Sequence, residues 1–198
     1  MSSFVKVAVL ISGGGTNLQA IIDRSAAGEL PHVELALVVS SRKNAGGLDR
    51  ADRAGIRHVY IGKENFEQDL IKLLDEYEID IIVLAGFLKI LSSDFVSRYP
   101  DRIINVHPSL IPSFCGDGFY GLRVHEAALS YGVKVTGATV HFVNEVTDGG
   151  KIIAQRAVDV KDGDTPEILQ RRVMEEAEWE LLPAAVEKVA AEIVARRG

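Results

Sequence analysis

One cysteine, Cys115, stands in 198 residues, so an intramolecular disulfide is excluded and a reducing compartment, the cytoplasm, is expected. Long apolar runs are missing as well. The longest, 7–11 and 79–86, fall far short of the roughly 20 residues that cross a bilayer. Met1-Ser2-Ser3-Phe4-Val5-Lys6 has no charged segment leading into an apolar one, so no export signal is expected. Basic charge is scarce: Lys and Arg number 22 against 28 Asp and Glu, a formal net charge of −6. That balance disfavours general binding to nucleic acid or to a membrane surface, while leaving room for a local site that takes a small phosphorylated ligand. No His/Cys/Asp/Glu set has the spacing of a zinc site, so no metal is expected. Linkers rich in Gly, Ser or Pro, low-complexity tracts and repeats are all absent, and one domain over 1–198 is expected.

With 47% hydrophobic residues, a chain of this length can bury a core unaided. Short β-branched runs at 5–11, 33–39, 57–61, 79–84 and 102–106 alternate with amphipathic stretches at 18–26, 45–54, 66–77 and 94–98. This is the grammar of an α/β protein with a mostly parallel twisted sheet and helices on both faces. Beyond residue 131 it changes. Two β-rich runs, 133–143 and 151–160, are separated by too few residues for a parallel crossover and are expected to pair antiparallel. Asp164-Thr165-Pro166-Glu167 then signals a helix start. Leu169, Val173, Ala177 and Leu181 repeat along one face of a long C-terminal helix until Pro183 kinks it or starts another.

Three stretches carry candidate chemistry. Ser12-Gly13-Gly14-Gly15-Thr16-Asn17 joins the first strand to the first helix. Glycines let a backbone approach a ligand closely, and unpaired N–H groups at a helix start suit an anion; the other reading is a plain strand-to-helix turn. Neither a Walker A loop nor the full dinucleotide fingerprint is present, because Thr16-Asn17 and Leu18 stand where those patterns need other residues. Asn105-Val106-His107-Pro108 closes the fifth strand, at the sheet edge where open α/β folds bind ligands. Strand periodicity puts Asn105 and His107 on one face, where an amide donor and a titratable imidazole suit a carbonyl oxygen that gains charge while a proton moves. They also suit a simple strand cap. Asp148-Gly149-Gly150 reads either as a hairpin turn or as a carboxylate reaching His107. His125 and His141 lack a partner at ligand spacing and read as structural, Cys115 as an incidental or pocket-wall thiol, and Trp179 as a core-edge aromatic on an acidic helix.

Taken together, Val9–Ile22, Leu84–Leu91, Ile104–Pro112 and Thr139–Gly150 resemble, in order, the phosphoribosylglycinamide formyltransferase family. The resemblance implies a Rossmann-like formyltransferase fold. It also implies transfer of a formyl group from 10-formyltetrahydrofolate, as co-substrate, to the amine of glycinamide ribonucleotide in purine biosynthesis. It places Asn105, His107 and Asp148 on the catalytic trio, and Gly15, Thr16 and Asn17 on the substrate phosphate. Leu88, Lys89, Ile90, Leu91, Val143 and Asn144 fall on the folate pocket. On the same basis 1–100 is the phosphate-binding half and 101–198 the catalytic and folate half. The sequence departs from the family pattern at two places. Residues 113–121 form a longer loop than the family's usual one, and counting back from Pro183 puts Ala177 where a substrate-contacting Glu is expected, with Glu176 as its one-step substitute. Relatives acting on tRNA or hydrolysing the folate carry further domains, for which 198 residues leave no room. A sugar-nucleotide formyltransferase and a non-catalytic sensor on the same fold are the remaining rivals.

Overall fold

The computed structural model describes residues 3–198. The elements run β1 (Val5–Ile11), α1 (Thr16–Ala26), β2 (Val33–Ser40), α2 (Gly46–Arg53), β3 (His58–Tyr60), α3 (Phe66–Glu76) and β4 (Ile81–Leu84). They continue with α4 (Ser93–Arg98), β5 (Ile103–His107), α5 (Leu122–Tyr131), β6 (Val135–Phe142), β7 (Ile152–Asp159), α6 (Pro166–Val173) and α7 (Trp179–Arg197). One seven-stranded sheet holds them in the order β3-β2-β1-β4-β5-β6-β7. Strands β1 to β5 pair in parallel, and β5–β6 and β6–β7 pair antiparallel. The expected change of grammar after residue 131 is therefore a change of strand direction.

Strand alternation sorts the core into two layers. Val5, Val7, Val9 and Ile11 of β1 face one way, against Leu18 and Ile21 of α1 and Leu182, Val186 and Val189 of α7. Ala8 and Leu10 face the other way, against Leu70 and Leu74 of α3 and Phe95 and Tyr99 of α4. A smaller cluster seats Leu169, Val173 and Ala177 on Ala138 and Val158 at the antiparallel end.

The C-terminal helix departs from the expected simple kink at Pro183. Between α6 and α7 the chain makes a π-helical turn over Met174–Glu178, just upstream of that proline. Pro183 has no N–H to give to the carbonyl four residues back, and a widened turn takes up such a break in the ladder.

Candidate active site

Because the sheet order reverses between β1 and β4, the loops leaving their carboxyl ends diverge and open a crevice there. The Gly-rich loop lies on one wall. Gly15 caps α1 with φ 71°, and a Cβ there would stand 2.6 Å from the Gly47 Cα, so glycine alone fits. The loop is held from outside: Gly47 N–H donates to the Gly13 carbonyl at 3.1 Å, and Arg50 Nε donates to the Gly14 carbonyl at 2.7 Å. No side chain caps α1, and no acidic residue sits in its first turn. Its leading N–H groups are left for an anion. The Asn17 side chain is turned inward, where its Nδ2 donates to Glu178 Oε2 at 2.6 Å in a buried contact. Its backbone N–H faces the uncapped start of α1.

Asn105 and His107 project from β5 on the face opposite Ile104 and Val106, which pack under α7. Antiparallel pairing sets His141 of β6 directly across from Asn105. His141 Nδ1 lies 2.8 Å from the Phe142 carbonyl, to which it donates, and its Nε2 lies 3.1 Å from Asn105 Nδ2. The β6–β7 turn then folds Asp148, at φ 55°, over the same face. Its Oδ2 lies 3.4 Å from His107 Nδ1, and its Oδ1 lies 3.6 Å from His141 Nε2. The residues expected as catalytic therefore converge, joined by His141, which the sequence reading had taken as structural. The missed signal is a cross-strand one: His141 lies 36 residues from Asn105 in the chain, and only pairing register makes them neighbours.

The loop at 113–118 closes the cluster from the outside. The Phe114 carbonyl accepts from His107 Nε2 at 2.9 Å, and Gly116 N–H donates to Asp148 Oδ2 at 2.9 Å. Burial pushes the His107 imidazole down, against the pull of the Asp148 charge and the Phe114 carbonyl. Burial pushes Asp148 up, but the His141 ring, the Gly116 N–H and the His107 charge outweigh it and hold the carboxyl below its usual value. A carboxylate and an imidazole whose protonated form burial disfavours thus stand side by side. His125, fully buried on α5 without a hydrogen bond to either ring nitrogen, is pushed down to about 4 by burial and the His107 charge.

The other wall follows β4. Leu88 and Ile90 are exposed, at 52% and 83%, and Lys89 Nζ sits 4.0 Å from the centre of the Phe66 ring. Ser12 Oγ accepts from Leu88 N–H at 2.9 Å, tying this wall to the Gly-rich loop. Val143 N–H donates to the Ile103 carbonyl, and the Asn144 side chain braces its own turn through Val146 N–H and the Gly149 carbonyl. Asn144 thus offers a ligand backbone rather than side chain. At the C-terminal helix, Glu176 is exposed and Ala177 lies in the core, so neither reaches the crevice. The acid that does is Glu178, turned toward Asn17 by the π-helical turn. Burial pushes its carboxyl up.

Residues 5–186 match the model of the Formyl transferase family. Phosphoribosylglycinamide formyltransferase of Haemophilus influenzae is 39% identical over 187 residues, covering 91% of this chain and 85% of that protein. The chain belongs to the phosphoribosylglycinamide formyltransferase family. Glycinamide ribonucleotide transformylase 1 of Symbiobacterium toebii superposes on this chain with a TM-score of 0.88 at 40% identity, covering 96% of this chain and 89% of that one. The human trifunctional purine biosynthetic protein adenosine-3 is 46% identical over 191 residues, which span 93% of this chain but 18% of the human protein. No helix among the described residues is long and apolar enough to cross a membrane.

Proposed function

We propose that this protein transfers the formyl group of 10-formyltetrahydrofolate to the amine of N1-(5-phospho-D-ribosyl)glycinamide, a step of de novo purine biosynthesis, in the cytoplasm and without a metal. The observation that carries this reading is the convergence of Asn105, His107 and Asp148 in the crevice that also holds the uncapped start of α1. The ribonucleotide phosphate docks on the N–H groups of Gly15, Thr16 and Asn17, and its glycinamide arm runs toward β5. Glu178, buried beside Asn17 at the start of α1, contacts the ribonucleotide there. The folate lies along Leu88, Lys89, Ile90 and Leu91 and the backbone of Val143 and Asn144, so its pocket draws on both 1–100 and 101–198.

The uncharged amine attacks the formyl carbon, a C–N bond forms, and the carbonyl pair moves onto oxygen. The second Asn105 amide hydrogen and a proton on His107 stabilise that oxyanion, each donor being worth about 3–4 kcal/mol when removed. Asp148, kept ionised, takes the proton that the attacking nitrogen sheds, directly or through a water. The carbonyl then re-forms, the bond to the folate nitrogen breaks, and that nitrogen takes the proton that Asp148 received, so that tetrahydrofolate leaves neutral at that nitrogen and Asp148 is again a carboxylate.

Purified protein mixed with both substrates should form tetrahydrofolate and the N-formyl product. Replacing Asn105, His107 or Asp148 with Ala should lower kcat by about 10²–10³-fold without unfolding the chain. Formate release that does not need the ribonucleotide would identify a hydrolase instead, and binding of both ligands without turnover would identify a sensor.

A further inference from the structure

The segment 113–118 follows β5 and carries the two backbone groups that meet the catalytic pair. Its conformation is specific. Phe114 sits in the left-handed region at φ 49° and Gly116 at φ 88°. Ser109 Oγ, fully buried, donates to the Ser113 carbonyl at 2.5 Å, and Ser113 N–H donates to the Leu110 carbonyl at 3.0 Å. The Phe114 ring meets Tyr131 of α5 edge-on at 6.0 Å between centres and Phe119 at 6.5 Å. A residue bearing a Cβ persists in such a conformation only where its surroundings over-determine it.

We propose that this loop is the positioning device of the His107–Asp148 pair: the Phe114 carbonyl fixes the Nε2–H tautomer of His107, and the Gly116 N–H aims Asp148 at the opposite ring nitrogen. The inference rests on the catalytic reading of His107 and Asp148. A carbonyl only accepts, so a neutral imidazole against it must keep its one hydrogen on Nε2. Nδ1 is left with a lone pair facing Asp148 Oδ2 at 3.4 Å. Only a proton between those atoms makes their contact attractive, so Nδ1 is where His107 gains a proton, and the charge it then carries faces the formyl oxygen. The other titratable groups around His107 do not replace this control. His125 of α5 is buried and neutral, and His141 of β6 already gives its Nδ1 hydrogen to the Phe142 carbonyl. Asp148 in turn meets His107, His141 and the Gly116 N–H, with Cys115 beside it as a neutral thiol that burial pushes up.

Nitrogen-15 NMR of the full chain, labelled at the histidine rings and assigned with His107→Gln, reads the tautomer directly. At a pH where His107 is neutral, Nε2 should carry the hydrogen and Nδ1 should not; the reverse tautomer overturns the proposal. The variant Gly116→Ala forces a Cβ onto the left-handed position and withdraws the N–H from Asp148, so that Asp148 ionises at higher pH. Its kcat should fall about tenfold with KM for the ribonucleotide unchanged, and the acid limb of kcat/KM should move up by roughly half a pH unit. A folded Gly116→Ala protein with an unmoved acid limb overturns the proposal. Full turnover by His107→Ala would instead overturn the catalytic reading, whatever tautomer the native ring shows.

Discussion

Glu178 is a buried acid whose nearest partner is an amide, and Asn17 Oδ1 beside it has no hydrogen-bond partner at all. Such a site is costly when empty, and an incoming hydrogen-bond donor of the ribonucleotide would offset the cost. Because its folded pKa is raised, Glu178 costs stability at every pH above its unfolded value, and the cost vanishes as pH falls below that value. Glu178→Gln should therefore raise Tm at pH 7 and lose that advantage near pH 4, while raising KM for the ribonucleotide about tenfold or more. Thermal melts at the two pH values and steady-state kinetics check both halves. The Asn105 and His107 pair was legible in the sequence because two positions apart on a strand means one face. Glu178 was not, since a π-helical turn decides which of several neighbouring acids faces inward, and no local spacing announces such a turn.

At the scale of elements, helix starts were readable where a side chain makes them. Thr165 caps α6 with Pro166 behind it, and its Oγ1 accepts from Ile168 N–H at 3.3 Å. Asp164, one residue earlier, grips Arg172 with both carboxylate oxygens and accepts from Lys161 N–H at 2.8 Å. The Arg172 hydrogen bonds hold Asp164 down to about 2. Its contribution is therefore full above the unfolded value near 4 and is lost as pH falls through about 2. Asp164→Asn should cost about 1–2 kcal/mol at pH 7 and progressively less between pH 4 and pH 2, as read by urea melts across that range. The antiparallel pairing of β6 and β7 was readable from the short gap between them. The partner of β6 on its other side was not, because nothing in the gap specifies β5.

The molecule as a whole carries a net charge of −6, and the two ligands proposed for it are anions. The field of the protein opposes their approach, and on the proposed reading the backbone N–H groups at α1 and single cations such as Lys89 hold them at short range. Raising ionic strength from about 10 to about 150 mM screens the long-range repulsion more than the contacts, so kcat/KM for the ribonucleotide should rise rather than fall. A steep fall would mean that an exposed basic patch does the capturing. Composition, hydrophobic period and turn residues by themselves determined an α/β sheet with a Gly-rich first turn and an Asn-x-His strand end, because each of these is a local consequence of backbone sterics and side-chain spacing. Tertiary structure alone decided that Asp148 and His141 share a face with Asn105, that Glu178 reaches Asn17, and that two backbone groups of a surface loop hold His107 and Asp148. These contacts join residues far apart in the chain, and their geometry depends on register, twist and burial, which come into being only when the whole sheet and its helices pack.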